Sequence, residues 1–170
     1  MNTNPRDWKI LADVPWSTWE PQVQATLLFV VRDGKMLLIH KKRGLGAGKI
    51  NGPGGRLEPG ETALQAAVRE VREELCVEAL HVCRSGELSF QFVDGLSLHV
   101  IVFRADHCVG EPRETPEAIP LWVSVDEIPY GRMWQDDPLW LPLMLERKPF
   151  RGRFLFDGDA MLDHSMEWHE

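Results

Sequence analysis

Glu61, Glu70, Glu73 and Glu74 stand on or at the start of one stretch that reads as a single helix, "ETALQAAVREVREEL". Residues three and four apart are neighbours on a helix surface, so Glu70 faces both Glu73 and Glu74, and each like-charged pair costs about 0.2–0.5 kcal/mol. Two readings account for that repulsion. One is a solvated acidic face relieved by Arg69 and Arg72; the other is a cluster kept to hold a hard divalent cation. The preceding residues favour the second. Gly52, Gly54, Gly55 and Gly60, with Pro53 and Pro59, form a tight loop feeding the helix N-terminus. Such a loop brings backbone N–H groups near an anion. Cation and phosphate sites side by side imply metal-assisted chemistry on a phosphate ester or anhydride.

The spacing is more specific than the composition. From Gly55 it runs five residues to Glu61, seven more to Arg69-Glu70, then Val71, one residue, and Glu73-Glu74. This resembles the Nudix box of the Nudix hydrolases, G-x5-E-x7-R-E-U-x-E-E-x-G-U with U a bulky apolar residue, and eight of its nine fixed positions match. The departure is Cys76, where the family has Gly; a left-handed helix cap at a residue with a Cβ costs about 1 kcal/mol and removes no ligand. The resemblance implies an α/β Nudix fold, a mixed β-sheet sandwiched between α-helices. It also implies hydrolysis of a nucleoside diphosphate linked to a further group, with Mg2+ as the cofactor and Mn2+ as a substitute. Arg69, Glu70, Glu73 and Glu74 are the implied catalytic residues, and Gly55, Glu70, Glu73, Glu74 and Glu117 the implied metal site, with Glu61 assisting. Arg69 is read as orienting a glutamate through a bidentate pair. Any of several glutamates can serve as general base, because metal binding and proton transfer exchange between carboxylates.

Two further segments, "KKRGLGAGKINGPGGRLEPGET" and "MWQDDPLWLPLMLERKPFRGRFLFDG", resemble the MutT-type members that sanitise oxidised purine nucleotides such as 8-oxo-dGTP. That likeness implies purine recognition by Asn51, Asp136 and Asp137, stacking on Trp134, and further substrate contacts from Lys41 and Phe90. The chemistry suits the roles. Adjacent acids share a proton, so one donates while the other accepts, and an amide does both. Local sequence also allows Asp136-Asp137 to cap the following helix, and Trp134 and Trp140 to be core. Leu45, Ile50 and Pro53 replace aromatics of the relatives and would shift base preference.

These side chains need a scaffold. Thr62 and Gln65 are spaced for a capping box, and Leu64, Ala67, Val68, Val71 and Leu75 fall in an arc of about 100° that would face the core. Residues 23–32 and 36–41 read as strands joined at Asp33-Gly34, and 87–93 and 98–104 as a second hairpin around Asp94-Gly95. Residues 44–55 read as loop, and 119–124 and 153–156 as short strands. Residues 136–146 read as a helix carrying Leu139, Leu143 and Leu145, with Pro138 in its first turn. Residues 23–170 form the expected domain, and residues 1–22 an extension packed on it. In that extension Pro5, Pro15 and Pro21 oppose regular structure, while Trp8, Trp16 and Trp19 are too apolar for a free tail. Packing over the mouth of a pocket is a second reading.

The net charge of −7 over 170 residues argues against a nucleic acid polymer as partner. It is compatible with a small nucleotide, because a divalent cation supplies the missing positive charge. Lys41, Lys42, Arg43 and Lys49 form a basic cluster before the glycine loop, either solvated or steering substrate. No apolar run approaches the ~20 residues of a membrane span, so no membrane partner is expected. The first residues show no continuous apolar stretch of a secretory signal. Cys76, Cys83 and Cys108, odd in number and without C-x-x-C spacing, read as reduced thiols of a cytoplasmic protein. A monomer is expected.

Overall fold

Asp33 and Gly34 both take positive φ, 54° and 72°, as a two-residue type I′ turn requires. Arg32 pairs with Lys35 and Val31 with Met36 across it. The computed structural model describes residues 4–170. In chain order its elements are β1 (Val23–Arg32), β2 (Lys35–Lys41), β3 (Ile50–Asn51), β4 (Gly54–Arg56), α1 (Ala63–Leu75), β5 (Glu78–Phe92), β6 (Ser97–Val109), β7 (Ala118–Ser124), α2 (Asp137–Leu145), β8 (Phe150–Asp157) and β9 (Ala160–Trp168). The chain divides into two units, residues 25–84 with 102–134, and residues 4–24 with 85–101 and 135–170.

The first unit is built around β2, whose Met36, Leu37, Leu38 and Ile39 are at most 2% exposed. A continuous apolar run of this kind suits a strand covered on both faces. β2 pairs antiparallel with β1, β3 and β7, and β4 pairs with β1 through Thr26 and Gly55. Helix α1 packs on β4 and β7. Its capping box forms as expected: Thr62 Oγ1 accepts from Gln65 N–H at 3.1 Å, and Gln65 Oε1 from Thr62 N–H at 2.9 Å.

The buried face of α1 differs from the expected arc. Ala66, Ala67, Val71, Glu74 and Leu75 are buried, Val68 is half-buried, and Leu64 is exposed. At ~100° per residue the face is rotated by roughly 50° from the purely apolar one, which brings Glu70 and Glu74 onto the protein side. Cys76 closes the helix in the left-handed conformation, φ 62° and ψ 30°. Cys76→Gly is therefore expected to raise stability by about 1 kcal/mol, read as a higher urea midpoint at unchanged slope. A lower midpoint would mean that the thiol makes a compensating contact.

In the second unit, the end of β5 runs parallel to β8, pairing Phe90 with Phe154, and β9 returns antiparallel to β8. Parallel and antiparallel pairs make the sheet mixed, and the chain carries two α-helices, α1 and α2. Helix α2 packs on β8 and β9, and its Trp140 ring stacks 5.8 Å from Phe150. Its buried face is carried by Trp140, Leu141 and Met144 rather than by Leu139, Leu143 and Leu145.

Residues 5–18 form three short 3₁₀ turns. Trp8 and Val14 are buried against Val93 and Leu155. Leu11 N–H donates to Asp163 Oδ2 at 2.8 Å, and Trp19 Nε1 to Gln91 Oε1 at 2.8 Å. Deleting residues 1–20 should cost on the order of 3 kcal/mol or more, the scale for two buried apolar side chains. An unchanged denaturation midpoint would show that the cluster adds nothing.

Three expectations need correction. The segment 44–55 is not all loop: β3 and β4 lie at its end, made by pairing with β2 and β1 rather than by local propensity. The hairpin strands at 87–93 and 98–104 are the ends of the longer β5 and β6. The strand expected at 153–156 spans 150–157 and is followed by β9, whose polar edge carries little sequence signal.

Candidate active site

Glu70 and Glu74 sit one turn apart on α1, and Glu117 immediately precedes β7. The register of β2 against β7 sets Lys41 opposite Ala118, and Lys42 N–H donates to the Glu117 carbonyl at 3.0 Å. Chain pairing therefore fixes the height of Glu117 beside the end of β2. One carboxylate oxygen from each of Glu70, Glu74 and Glu117 lies within 4.8 Å of the others. Of the residues expected to hold metal, Glu73 stands outside this group, with its exposed carboxylate on Arg69 at 3.1 Å. Gly55 lies directly against Glu70, where a Cβ would collide with the carboxylate. Only glycine permits that approach.

Arg69 is the organiser. It grips Glu61 with two bonds, Nε to Oε2 at 2.6 Å and Nη2 to Oε1 at 2.9 Å. The same guanidinium donates to Glu70 Oε1 at 2.9 Å and to the Arg56 carbonyl at 3.0 Å. The expected bidentate pair is thus made with Glu61. Its hydrogen bonds hold the Glu61 carboxyl down at about 2, the backbone N–H of Glu58 adding to the effect.

Glu74 is the opposite case. It is 4% exposed, and its Oε2 is buried without a hydrogen-bond partner. Burial pushes its carboxyl up to about 8; the Glu70 and Glu117 charges add to this, while Lys41 and the Gly54 backbone oppose it. Burial also raises Glu70, against the pull of Arg69. Lys41, half-buried, is lowered by burial although Glu74, Glu117 and Glu70 all act to raise it. Its Nζ donates to the Leu45 carbonyl at 2.6 Å. An orphaned carboxylate oxygen is costly to keep dry, and a hard divalent cation is the partner that three converging carboxylates suit. The residues present fit such an ion.

The residues expected to read a base fall into two groups. Asn51 and Trp134 meet in the first unit, where Trp134 Nε1 donates to Asn51 Oδ1 at 3.1 Å. Asn51 Nδ2 donates in turn to the Lys49 carbonyl at 3.1 Å, and the Lys49 ammonium lies 5.2 Å from the centroid of the Trp134 ring. Trp134 is half-buried, not core. Gly46 (φ 82°) completes this corner, because a Cβ there would stand 2.8 Å from Trp134 Nε1. Sequence reasoning passed over Gly46, and the cue was its place as the middle glycine of "GLGAG". Of the positions that depart from the relatives, Ile50 and Pro53 are buried and Leu45 is exposed.

Asp136, Asp137 and Phe90 belong to the second unit. Asp136 and Asp137 are 2% and 7% exposed. Asp136 occupies the N-cap position of α2 but makes no side-chain cap bond; its Oδ2 accepts from Trp140 Nε1 at 2.7 Å. Burial raises the Asp136 carboxyl well above the usual range, against the Trp140 and Asp137 hydrogen bonds. Phe90 is half-buried and stacks on Phe154 at 5.1 Å. Trp140 is core, at 1% exposure.

The NUDIX domain family matches residues 21–144. The chain is 48% identical over 146 residues to the oxidized purine nucleoside triphosphate hydrolase of Danio rerio, covering 84% of this chain and 92% of that protein. It is 44% identical over 145 residues to the protein of the same name from Mus musculus, covering 83% and 92%. Among solved structures, the MutT protein of Bacillus halodurans superposes with a TM-score of 0.76 at 24% identity, over 85% of this chain and 97% of that one. That last likeness supports the fold alone.

Proposed function

The chain belongs to the NUDIX family, and from that footing we propose that it hydrolyses oxidised purine nucleoside triphosphates, such as 8-oxo-dGTP, to the monophosphate and pyrophosphate. The observation that carries the reaction class is the unpartnered Glu74 Oε2, buried among the carboxylates of Glu70 and Glu117. The substrate class is supported by what the relatives from Danio rerio and Mus musculus are named for.

Glu70, Glu74 and Glu117, with the Gly55 backbone and Glu73 beside them, would hold Mg2+ or Mn2+. When bound, such an ion neutralises phosphate charge and lowers the pKa of attached water. The chain's own residues do the rest. Arg69 keeps Glu61 and Glu70 fixed while Glu70, Glu73 and Glu74 are the groups able to take the proton of the attacking water. Lys41, close enough to feel all three clustered carboxylates, is a cation available to a phosphate. Two adjacent acids such as Asp136 and Asp137 can share a proton, which suits the mixed donor and acceptor edge of an oxopurine; Asn51 and Trp134, in the other unit, offer an amide and a ring face to the same class of ligand.

The three free cysteines fit a reducing compartment, in keeping with a cytoplasmic monomer. Among the described residues no helix is long and apolar enough to cross a membrane. A nucleotide panel tests the reading: 8-oxo-dGTP, dGTP, dCTP and ADP-ribose, each incubated with Mg2+ and followed by product chromatography. Fastest turnover of the oxidised purine is expected. Preference for ADP-ribose would assign the chain to another Nudix substrate class.

A further inference from the structure

The carbonyl of Glu74 lies in the last turn of α1, where the helix itself supplies no donor. Thr115 supplies one from outside: its Oγ1 donates to the Glu74 carbonyl at 2.8 Å. The same oxygen accepts from the Glu117 backbone N–H at 3.3 Å. One hydroxyl therefore joins the backbones of two members of the acidic group, which are 43 positions apart in the chain (117 minus 74). The neighbouring bonds make the joint rigid. Thr115 and Ala118 exchange backbone bonds at 2.9 and 3.4 Å, closing a four-residue turn around Glu117. Arg113 N–H donates to the Leu75 carbonyl at 2.9 Å, so the next exposed helix carbonyl is met by the same segment. Beyond the backbone, Arg43 Nη2 holds Glu117 Oε1 at 2.9 Å.

From this geometry we propose that Thr115 is a positioning residue for the cation site, its hydroxyl setting Glu117 at the distance from Glu74 that the ion needs. The proposal rests on the cation-binding part of the proposed function. Thr115 touches neither the ion nor the nucleotide; it acts through Glu117. Without the hydroxyl the turn still closes and the segment keeps the Arg113 bond to the Leu75 carbonyl, but the link between the backbones of Glu117 and Glu74 is lost.

The test uses Mn2+ alone, without nucleotide, by following the paramagnetic resonance signal of the free ion as full-length protein is added. Thr115→Val keeps the shape and removes the hydroxyl; it should weaken Mn2+ binding about three- to tenfold, the scale of one hydrogen bond. Thr115→Ser keeps the hydroxyl and should restore binding to within about twofold of the unaltered chain, which a loss through misfolding would not allow. In a Glu117→Gln background, Thr115→Val should add nothing further, because the two changes remove the same contribution. Unaltered Mn2+ affinity in Thr115→Val overturns the proposal, as does an equal loss in the Glu117→Gln background. Failure of the unaltered chain to bind Mn2+ would instead overturn the cation site itself, and this proposal with it.

Discussion

Glu74→Gln should lower hydrolysis of a purine triphosphate at least ~10²-fold at saturating Mg2+, the scale for losing a metal-binding or acid–base group. The same change should make the ion-free protein more stable, and the sign follows from Glu74's burial. Burial pushes its carboxyl up to about 8 in the folded chain, against about 4.5 for a free glutamate. Between those pH values the native state keeps a proton that the unfolded chain has lost, so ion-free stability falls as pH rises through that window and levels off above it. Gln cannot titrate, so the difference between the two proteins should open from pH 5 to pH 8.5 and reach on the order of 3 kcal/mol in EDTA. Urea midpoints across that range measure it. Unchanged turnover, or parallel pH profiles, would show that Glu74 is not the buried carboxylate at the centre of the chemistry. Glu73→Gln offers a comparison, since Glu73 is exposed and outside the group of three.

Asp136→Asn or Asp137→Asn should raise KM for oxidised purine triphosphates by about 1.5–3 kcal/mol, or roughly 10- to 10²-fold, the range for a hydrogen bond to a charged group. The acids are nearly dry, and Asp136 is not used as a helix cap, so capping of α2 does not explain the pair; the structural duty that Asp136 does carry is the bond it accepts from Trp140. Asn keeps the size and an acceptor for Trp140 but cannot share a proton. Pyrimidine triphosphates present a different edge, and their hydrolysis should change little. The quantity to measure is the purine-to-pyrimidine ratio of kcat/KM. If neither substitution moves it, Asp136 and Asp137 serve α2 and Trp140 alone.

The parts of this molecule legible in the sequence were those fixed by neighbours along the chain. The Asp33-Gly34 turn, the Thr62–Gln65 capping box and the left-handed Cys76 each depend on a few adjacent residues, and each is found as expected. What escaped depends on pairing at a distance. β3 and β4 total five residues, two and three, and exist because β2 and β1 offer them partners. The face of α1 was misread because apolar residues were assumed to define it, whereas Glu70 and Glu74 lie on the protein side. A carboxylate that belongs in the interior for its chemistry defeats a pattern built on transfer energies. Box spacing named Glu70 and Glu74 and the family resemblance named Glu117; the fold brings those three within 4.8 Å and holds Glu73 on Arg69 beside them. Arg43 on Glu117 and Thr115 between Glu74 and Glu117 leave no local trace, since a lone Arg or Thr in a polar loop is the commonest thing a loop contains.

In the proposed function this acidic group works with a divalent cation to split a purine triphosphate between its first and second phosphates. Phosphorus resonance of 8-oxo-dGTP incubated with the protein tests it most directly. With Mg2+ the monophosphate and pyrophosphate are expected as sole products, and no reaction after EDTA. Orthophosphate with the diphosphate, or equal turnover in EDTA, would contradict it.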